Sequence, residues 1–312
     1  MLVAQLGSEL IVAHHDLNRK KAYCCPVCQT KVILKLGTKI IPHFAHQSTA
    51  TCISSEAETP EHLAGKVLLQ LFFPQFQLEV YLPELKQRAD LLWEIRALEF
   101  QCSPLSFPRF LERTYGYLAS GYQPVWIFGK ALQPEHKLTQ LQKACLQFEA
   151  KKGFYLYGLD VTHQHFLLFR YVHWSYETGL SYQKIATNLT RQQQKSVKST
   201  RRSSRFSYSE WLQQQLATKR KDIVQLQGKC YQHNQHLCYL AEWIYQESTF
   251  GLLFEHAVLY YRILFLKAAS YVEWRALMTN EVISWTYPFL DREVVLHAFF
   301  LECIRLSKRT FS

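Results

Sequence analysis

Across Leu85 to Gln101 the hydrophobic positions fall into two short blocks, Leu91-Leu92-Trp93 and Ala97-Leu98, a pattern that predicts two adjacent β-strands. Upstream, Leu63, Val67, Leu68 and Leu71 recur at helical spacing over 58–73, and Pro60 suits the first turn of that helix. Downstream, Ser106 can cap a helix running to about Ala119, and Gln123 to Gly129 reads as a buried strand closed by glycine. The predicted order is helix, three strands, helix, strand.

The same reading extends to both ends. Leu10 to Ala13 and Lys31 to Lys35 predict strands near the N-terminus, with Gly37 at a turn. Glu135 to Lys151 predicts a further helix, with Leu138, Leu141, Cys145 and Phe148 inward. Phe154 to Gly158 and His165 to Tyr171 predict a hairpin. From about Tyr171 the pattern turns helical, with helices expected at Trp211–Leu226, Leu253–Lys267, Tyr271–Met278 and Glu293–Leu306. The organisation predicted is a strand-rich module over 1–55, an α/β core over 56–170 and a helical region over 171–312.

A chain of 312 residues with 48% hydrophobic content supports more than one folded core and excludes a disordered protein. Its formal charge is +11, and between Lys184 and Lys229 eleven Lys and Arg stand against Glu210 and Asp222. Such a basic segment favours polyanions, nucleic acid first and an anionic membrane surface second. Within it Lys195, Lys198, Arg201, Arg202 and Arg205 lie beside Phe206 and Tyr208, mixing charge with rings that can stack on unpaired bases; a solvated linker is the competing reading. Trp211, Tyr231 and the aromatic C-terminal helices are expected to pack in the core. The first residues lack a basic start followed by an apolar run, and no segment has the length of a membrane span, so the chain is expected to be cytoplasmic.

Two constellations carry candidate chemistry. Asp90 and Glu99 border the apolar blocks of the paired strands, and Gln101 projects to the same side as Glu99. Half-buried carboxylates repel one another unless a cation sits between them, so the pair reads as a metal site, with incidental hairpin acids as the alternative. The second constellation is Cys25-Pro-Val-Cys28, His43-Phe-Ala-His46 and Cys52. Its spacing suits a tetrahedral Zn2+ held by Cys25, Cys28, His46 and Cys52, with His43 the alternative ligand. One structural zinc would supply the cohesion that about 55 residues cannot build from apolar burial alone.

Six motifs, Tyr23-Cys-Cys-Pro-Val-Cys28, Pro42-His-Phe-Ala-His46, Glu61-His62 with Lys66, Gln87-Arg-Ala-Asp90, Glu99-Phe-Gln-Cys-Ser103 and Trp126-Ile-Phe-Gly129, occur in the order found in the competence protein CoiA family, which the chain resembles over about residues 20–130. The element order also resembles the restriction-endonuclease-like PD-(D/E)xK nuclease core. That resemblance implies a mixed sheet flanked by helices, with a zinc-finger-like N-terminal module and an all-α C-terminal region. It implies Asp90 and Glu99, with Glu61 a third candidate, holding Mg2+ or Mn2+ for phosphodiester hydrolysis, and His62 contacting a phosphate or protonating the leaving oxygen. Gln101 stands where the nuclease motif has lysine, so Lys66 or Arg88 is the candidate replacement cation; Ala89 stands in place of proline. The implied role is in natural competence, on incoming single-stranded or branched DNA, beside a RecA-type recombinase or other competence proteins. A non-cleaving DNA-binding mediator that recruits such a recombinase is the alternative, and an interaction protein with a helical recruiting region is a third.

Overall fold

The computed structural model describes residues 1–47, 52, 58–149, 151–199, 207–281 and 285–308. The elements run β1 (Val3–Leu6), β2 (Glu9–Val12), β3 (Val32–Gly37), β4 (Ile40–His46), α1 (Pro60–Phe72), β5 (Gln77–Leu82), β6 (Gln87–Trp93), β7 (Arg96–Gln101), α2 (Phe107–Ala119) and β8 (Gln123–Phe128). They continue with α3 (Gln140–Ala144), β9 (Gln147–Glu149), β10 (Gly153–Asp160), β11 (His165–Ser175), β12 (Gly179–Thr187), β13 (Gln193–Ser199), α4 (Tyr208–Ala217) and α5 (Lys221–Tyr231). The last are α6 (Gly251–Phe254), α7 (Ala257–Lys267), α8 (Tyr271–Glu281) and α9 (Arg292–Ser307).

The chain divides into two compact units, one of residues 1–133, 157–168 and 185–195, the other of 134–156, 169–184 and 196–312. In the first, β5, β6 and β7 form an antiparallel meander, while β8 runs parallel to β7 and β10 parallel to β8, giving the mixed sheet expected. The parallel β7–β8 pair requires a crossover, which α2 supplies. Leu69 and Phe72 of α1 pack with Leu91, Leu98, Phe100 and Ile127 of the sheet. Thr59 caps α1 by accepting the His62 N–H, and Pro60 occupies the first turn, where its missing N–H costs nothing. Gly65 sits at the helix–sheet contact, where a Cβ would lie 2.1 Å from the Phe100 ring. Two antiparallel pairs, β1–β2 and β3–β4, build the N-terminal module around Ala4, Tyr23, Val32, Leu34 and Phe44.

The inward face of α1 differs from the predicted stripe. Val67 and Leu71 are exposed, and Lys66 is buried beside Leu63, Leu69 and Phe72. The rotation follows from ion pairing: partners for an ammonium outweigh the burial of one further leucine.

In the second unit, β9 pairs antiparallel with β10 and the helices follow from Tyr208. The helix expected over 135–151 shrinks to α3, because Cys145 ends it and Gln147–Glu149 join β10 in a sheet; Phe148 is accordingly exposed. Strand persists past Tyr171 to Ser199, where period-two burial in β11 and β12 replaces the expected helix. The helix expected over 211–226 breaks into α4 and α5 at Lys219, whose φ of 54° no helix contains. Among the described residues, no helix is long and apolar enough to cross a membrane.

Candidate active-site cleft and metal-ligand cluster

The β6–β7 register pairs Leu91 with Leu98 and Leu92 with Ala97, so one further step sets Asp90 across from Glu99 on the same face. Both line one cleft of about 90 Å3, together with His62, Arg88, Gln101, Arg109 and Arg113. That room holds several waters at roughly 10–15 Å3 each. Asp90 Oδ2 accepts the Phe100 backbone N–H at 2.8 Å and lies 3.1 Å from His62 Nε2. Burial alone would raise the Asp90 pKa, but His62, Lys66 and Arg113 outweigh it and hold the carboxyl below the usual range. Burial pulls His62 down, and Asp90 more than reverses this, favouring the imidazolium.

Glu99 is treated oppositely. Burial pushes its pKa up to about 7, although Arg113 donates to Oε2 at 2.7 Å and the Tyr117 hydroxyl donates to Oε1. Two neighbouring carboxyls thus differ in protonation near neutral pH, as acid/base sites require. Both grips on Glu99 come from α2, and the Arg113 guanidinium also lies over the Trp126 ring at 5.5 Å. Sequence reasoning missed Arg113 and Tyr117. The available signal was the stripe Phe110, Arg113, Thr114, Tyr117, whose helical spacing faces the sheet but carries polar members.

Behind the cleft lies a buried ion cluster. Lys66, with no exposed surface, donates to Glu58 Oε1 at 2.7 Å and to Glu79, while Arg88 reaches Glu58 at 2.8 Å and Glu79 at 3.8 Å. Burial works against every charge here; Glu79, Asp90 and Glu58 nevertheless raise the Lys66 pKa, and Lys66 and Arg88 lower that of Glu58 to about 2. Glu79 adopts a φ of 52°, a conformation that L residues rarely take, which interrupts the β5–β6 register between Leu78 and Val80. Lys66 therefore neutralises the cluster, and Arg88 alone of the two lines the cleft. Gln101 lines it too, its amide donating to Ser103 O at 2.7 Å. Glu61 lines a different cavity and accepts the Lys130 N–H at 3.3 Å. Gly129 allows that approach, since a Cβ would fall 2.6 Å from the Cys102 Cβ and 3.0 Å from Glu61 Oε1.

In the N-terminal module, ligand atoms of Cys25, Cys28, His46 and Cys52 all lie within 4.8 Å of one another. Cys25 and Cys52 sulfurs are 4.0 Å apart, close to the roughly 3.8 Å that tetrahedral Zn–S bonds impose. The Cys25–Cys28 turn is built for this: Gln29 takes a left-handed φ of 58°, and the Val27 N–H points at Cys25 sulfur at 3.4 Å. Burial pushes Cys25 up to about 11 and acts the same way on Cys28, but Thr30 and His46 bring Cys28 down to about 6. Three thiols and one imidazole fit a zinc ion. His43 stands apart, its Nδ1 donating to Ile41 O at 2.8 Å, and all nine cysteines are free of disulfides.

A family model described as the competence protein CoiA nuclease-like domain matches residues 58–205, and one described as the CoiA N-terminal domain matches residues 11–55. The chain belongs to the competence protein CoiA family. A curated relative, competence protein CoiA of Bacillus subtilis (strain 168), is 34% identical over 120 residues, 36% of this chain. That match spans about a third of the relative's length, at 32%. No solved structure matches the chain.

The nuclease-like match contains the cleft, and the N-terminal match contains the Cys3His cluster. Of the basic residues singled out, Lys195 is exposed on β13 and the Lys198 backbone continues that strand, whereas Arg201, Arg202 and Arg205 lie outside the described residues. Trp211 is half-buried and stacks on His256 at 4.9 Å. Tyr231, expected in the core, is 58% exposed because it closes α5 beyond its last buried turn.

Proposed function

We propose that the nuclease-like domain is a divalent-metal-dependent deoxyribonuclease acting on incoming single-stranded or branched DNA during natural competence. The carrying observation is the cleft, where two buried carboxylates stand side by side beneath Lys86, Arg88, Arg109 and Arg113. Asp90 and Glu99 would hold Mg2+ or Mn2+. A hard divalent ion bound there would polarise a phosphate oxygen and lower the pKa of a bound water. Arg109 and Lys86 offer positive charge to the flanking phosphates, and the basic segment 184–229 is a further candidate for phosphate contact. His62, whose imidazolium form Asp90 favours, would give a proton to the leaving oxygen. The Gln101 amide can orient water but supplies no charge, leaving the arginines to stabilise charge at phosphorus.

A second reading is favoured by one observation: Glu99 already has its oxygens occupied by Arg113 and Tyr117. On that reading the domain binds DNA without cutting it and hands it to a RecA-type recombinase. Labelled branched, single-stranded and duplex DNA, incubated with Mg2+, Mn2+ or chelator, separates the two. Cleavage should require the ion and fall at least about 100-fold in Asp90→Asn and in Glu99→Gln. Retained DNA binding with no cut product under any condition would leave the mediator.

A further inference from the structure

The second unit contains a cavity whose chemistry is the reverse of the chain's basic excess. Trp174, Tyr176, Tyr208 and Tyr245 contribute its aromatic lining, and Tyr176 and Tyr208 stack with ring centroids 4.4 Å apart and planes 4° from parallel. Three carboxylates, Glu177, Glu247 and Glu255, complete the wall, and among the described residues no Lys or Arg lines it in a chain of net charge +11. Glu247 reaches His173 at 2.8 Å and Glu255 pairs with Lys143; Glu177 is exposed and has no ion pair among the described residues. His256, whose Nδ1 lies 2.6 Å from the Tyr208 hydroxyl, is kept neutral by burial and adds no positive charge.

The wall is held rigidly. Buried Arg262 donates to the carbonyls of Ile244 at 2.9 Å and Gln246 at 2.6 Å and to Glu302 at 2.9 Å, while Glu302 also accepts from Ser248 and Thr249. A buried ion pair is thereby spent on fixing the 244–249 segment, which forms one side of the cavity. Glu255 is presented from a φ of 47° and ψ of −129°, outside the regions that L residues favour. Aromatic faces with carboxylates at hand bind cations, and a guanidinium satisfies both by stacking and by forked hydrogen bonding. The cavity holds about 90 Å3, below the roughly 300–1,000 Å3 of small-molecule sites, so it suits a side-chain head group.

We infer that this cavity receives an arginine side chain presented by a protein partner. The test uses the full chain with 15N-labelled indoles, the Trp174 signal being assigned from Trp174→Phe, titrated with acetyl-Gly-Arg-Gly-amide. A saturable Trp174 shift is expected, weakened at least about threefold when citrulline replaces arginine, and weakened similarly in Glu177→Gln, whose exposed position leaves folding intact. Equal response to the citrulline peptide, an unchanged response in Glu177→Gln, or a silent Trp174 signal would overturn the inference. Tighter binding of free arginine than of the capped peptide would overturn the protein-partner assignment.

Discussion

Both units bury charge, but to different ends. In the first, Glu58, Lys66, Glu79 and Arg88 form a continuous run that opens onto a cleft; in the second, Arg262 and Glu302 close upon one another and upon backbone carbonyls. A closed pair fixes the shape of a segment. An open run keeps carboxylates ionised beside solvent, and this is the arrangement from which a reactive site can be made.

Removing single members should break this comparison most visibly. Lys66→Met leaves Glu58 and Glu79 facing each other without their ammonium, and about 3–5 kcal/mol of stability should go, read by urea unfolding with hydrogen exchange at β5 and β6. Acid should act on the same cluster. With the Glu58 pKa depressed from 4.5 to about 2, its stabilisation is complete above its ordinary value and is lost as pH falls from about 4.5 toward 2. Hydrogen-exchange protection at α1 and β5, relative to the intrinsic rate at each pH, should fall across that window, and unchanged protection would contradict the cluster. Glu302→Gln should cost less, about 1–3 kcal/mol, because Arg262 keeps its carbonyl acceptors. A loss equal to that of Lys66→Met would remove the distinction between open and closed networks.

Gly65→Ala sharpens the first unit further. Helix propensity alone predicts a gain of about 1 kcal/mol, but the new methyl would lie 2.1 Å from Phe100, whose N–H holds Asp90. A net loss of about 1–3 kcal/mol is expected by thermal unfolding. The smallest effect belongs to the exposed Arg220–Asp222 pair, where Asp222→Asn should change stability by about 0.2–1 kcal/mol.

The hairpin carrying Asp90 and Glu99 was legible because its two apolar blocks are local along the chain, and Pro60 marked the first turn of α1. What escaped was set by contacts distant along the chain. Lys66 turned inward for Glu79, which is thirteen residues away and on another element, and Arg113 reached Glu99 across fourteen. Residues 147–149 pair as a strand only because β10 offers an edge, so helical spacing there misled. In the Cys3His cluster, Cys25 and Cys28 were evident from spacing, whereas the choice of His46 over His43 depended on which imidazole the β4 pleat turns toward them.

The Val3 backbone N–H ends on Glu79 Oε2, 3.0 Å away, and Glu79 is also held by Lys66 and Arg88. The first strand is therefore wired to the ion cluster behind the cleft. Cutting the chain just past the cysteine cluster would take away one of the donors that hold a carboxylate in a dry interior, so the short amino-terminal module is tied into the buried charges of the core and is no detachable appendage.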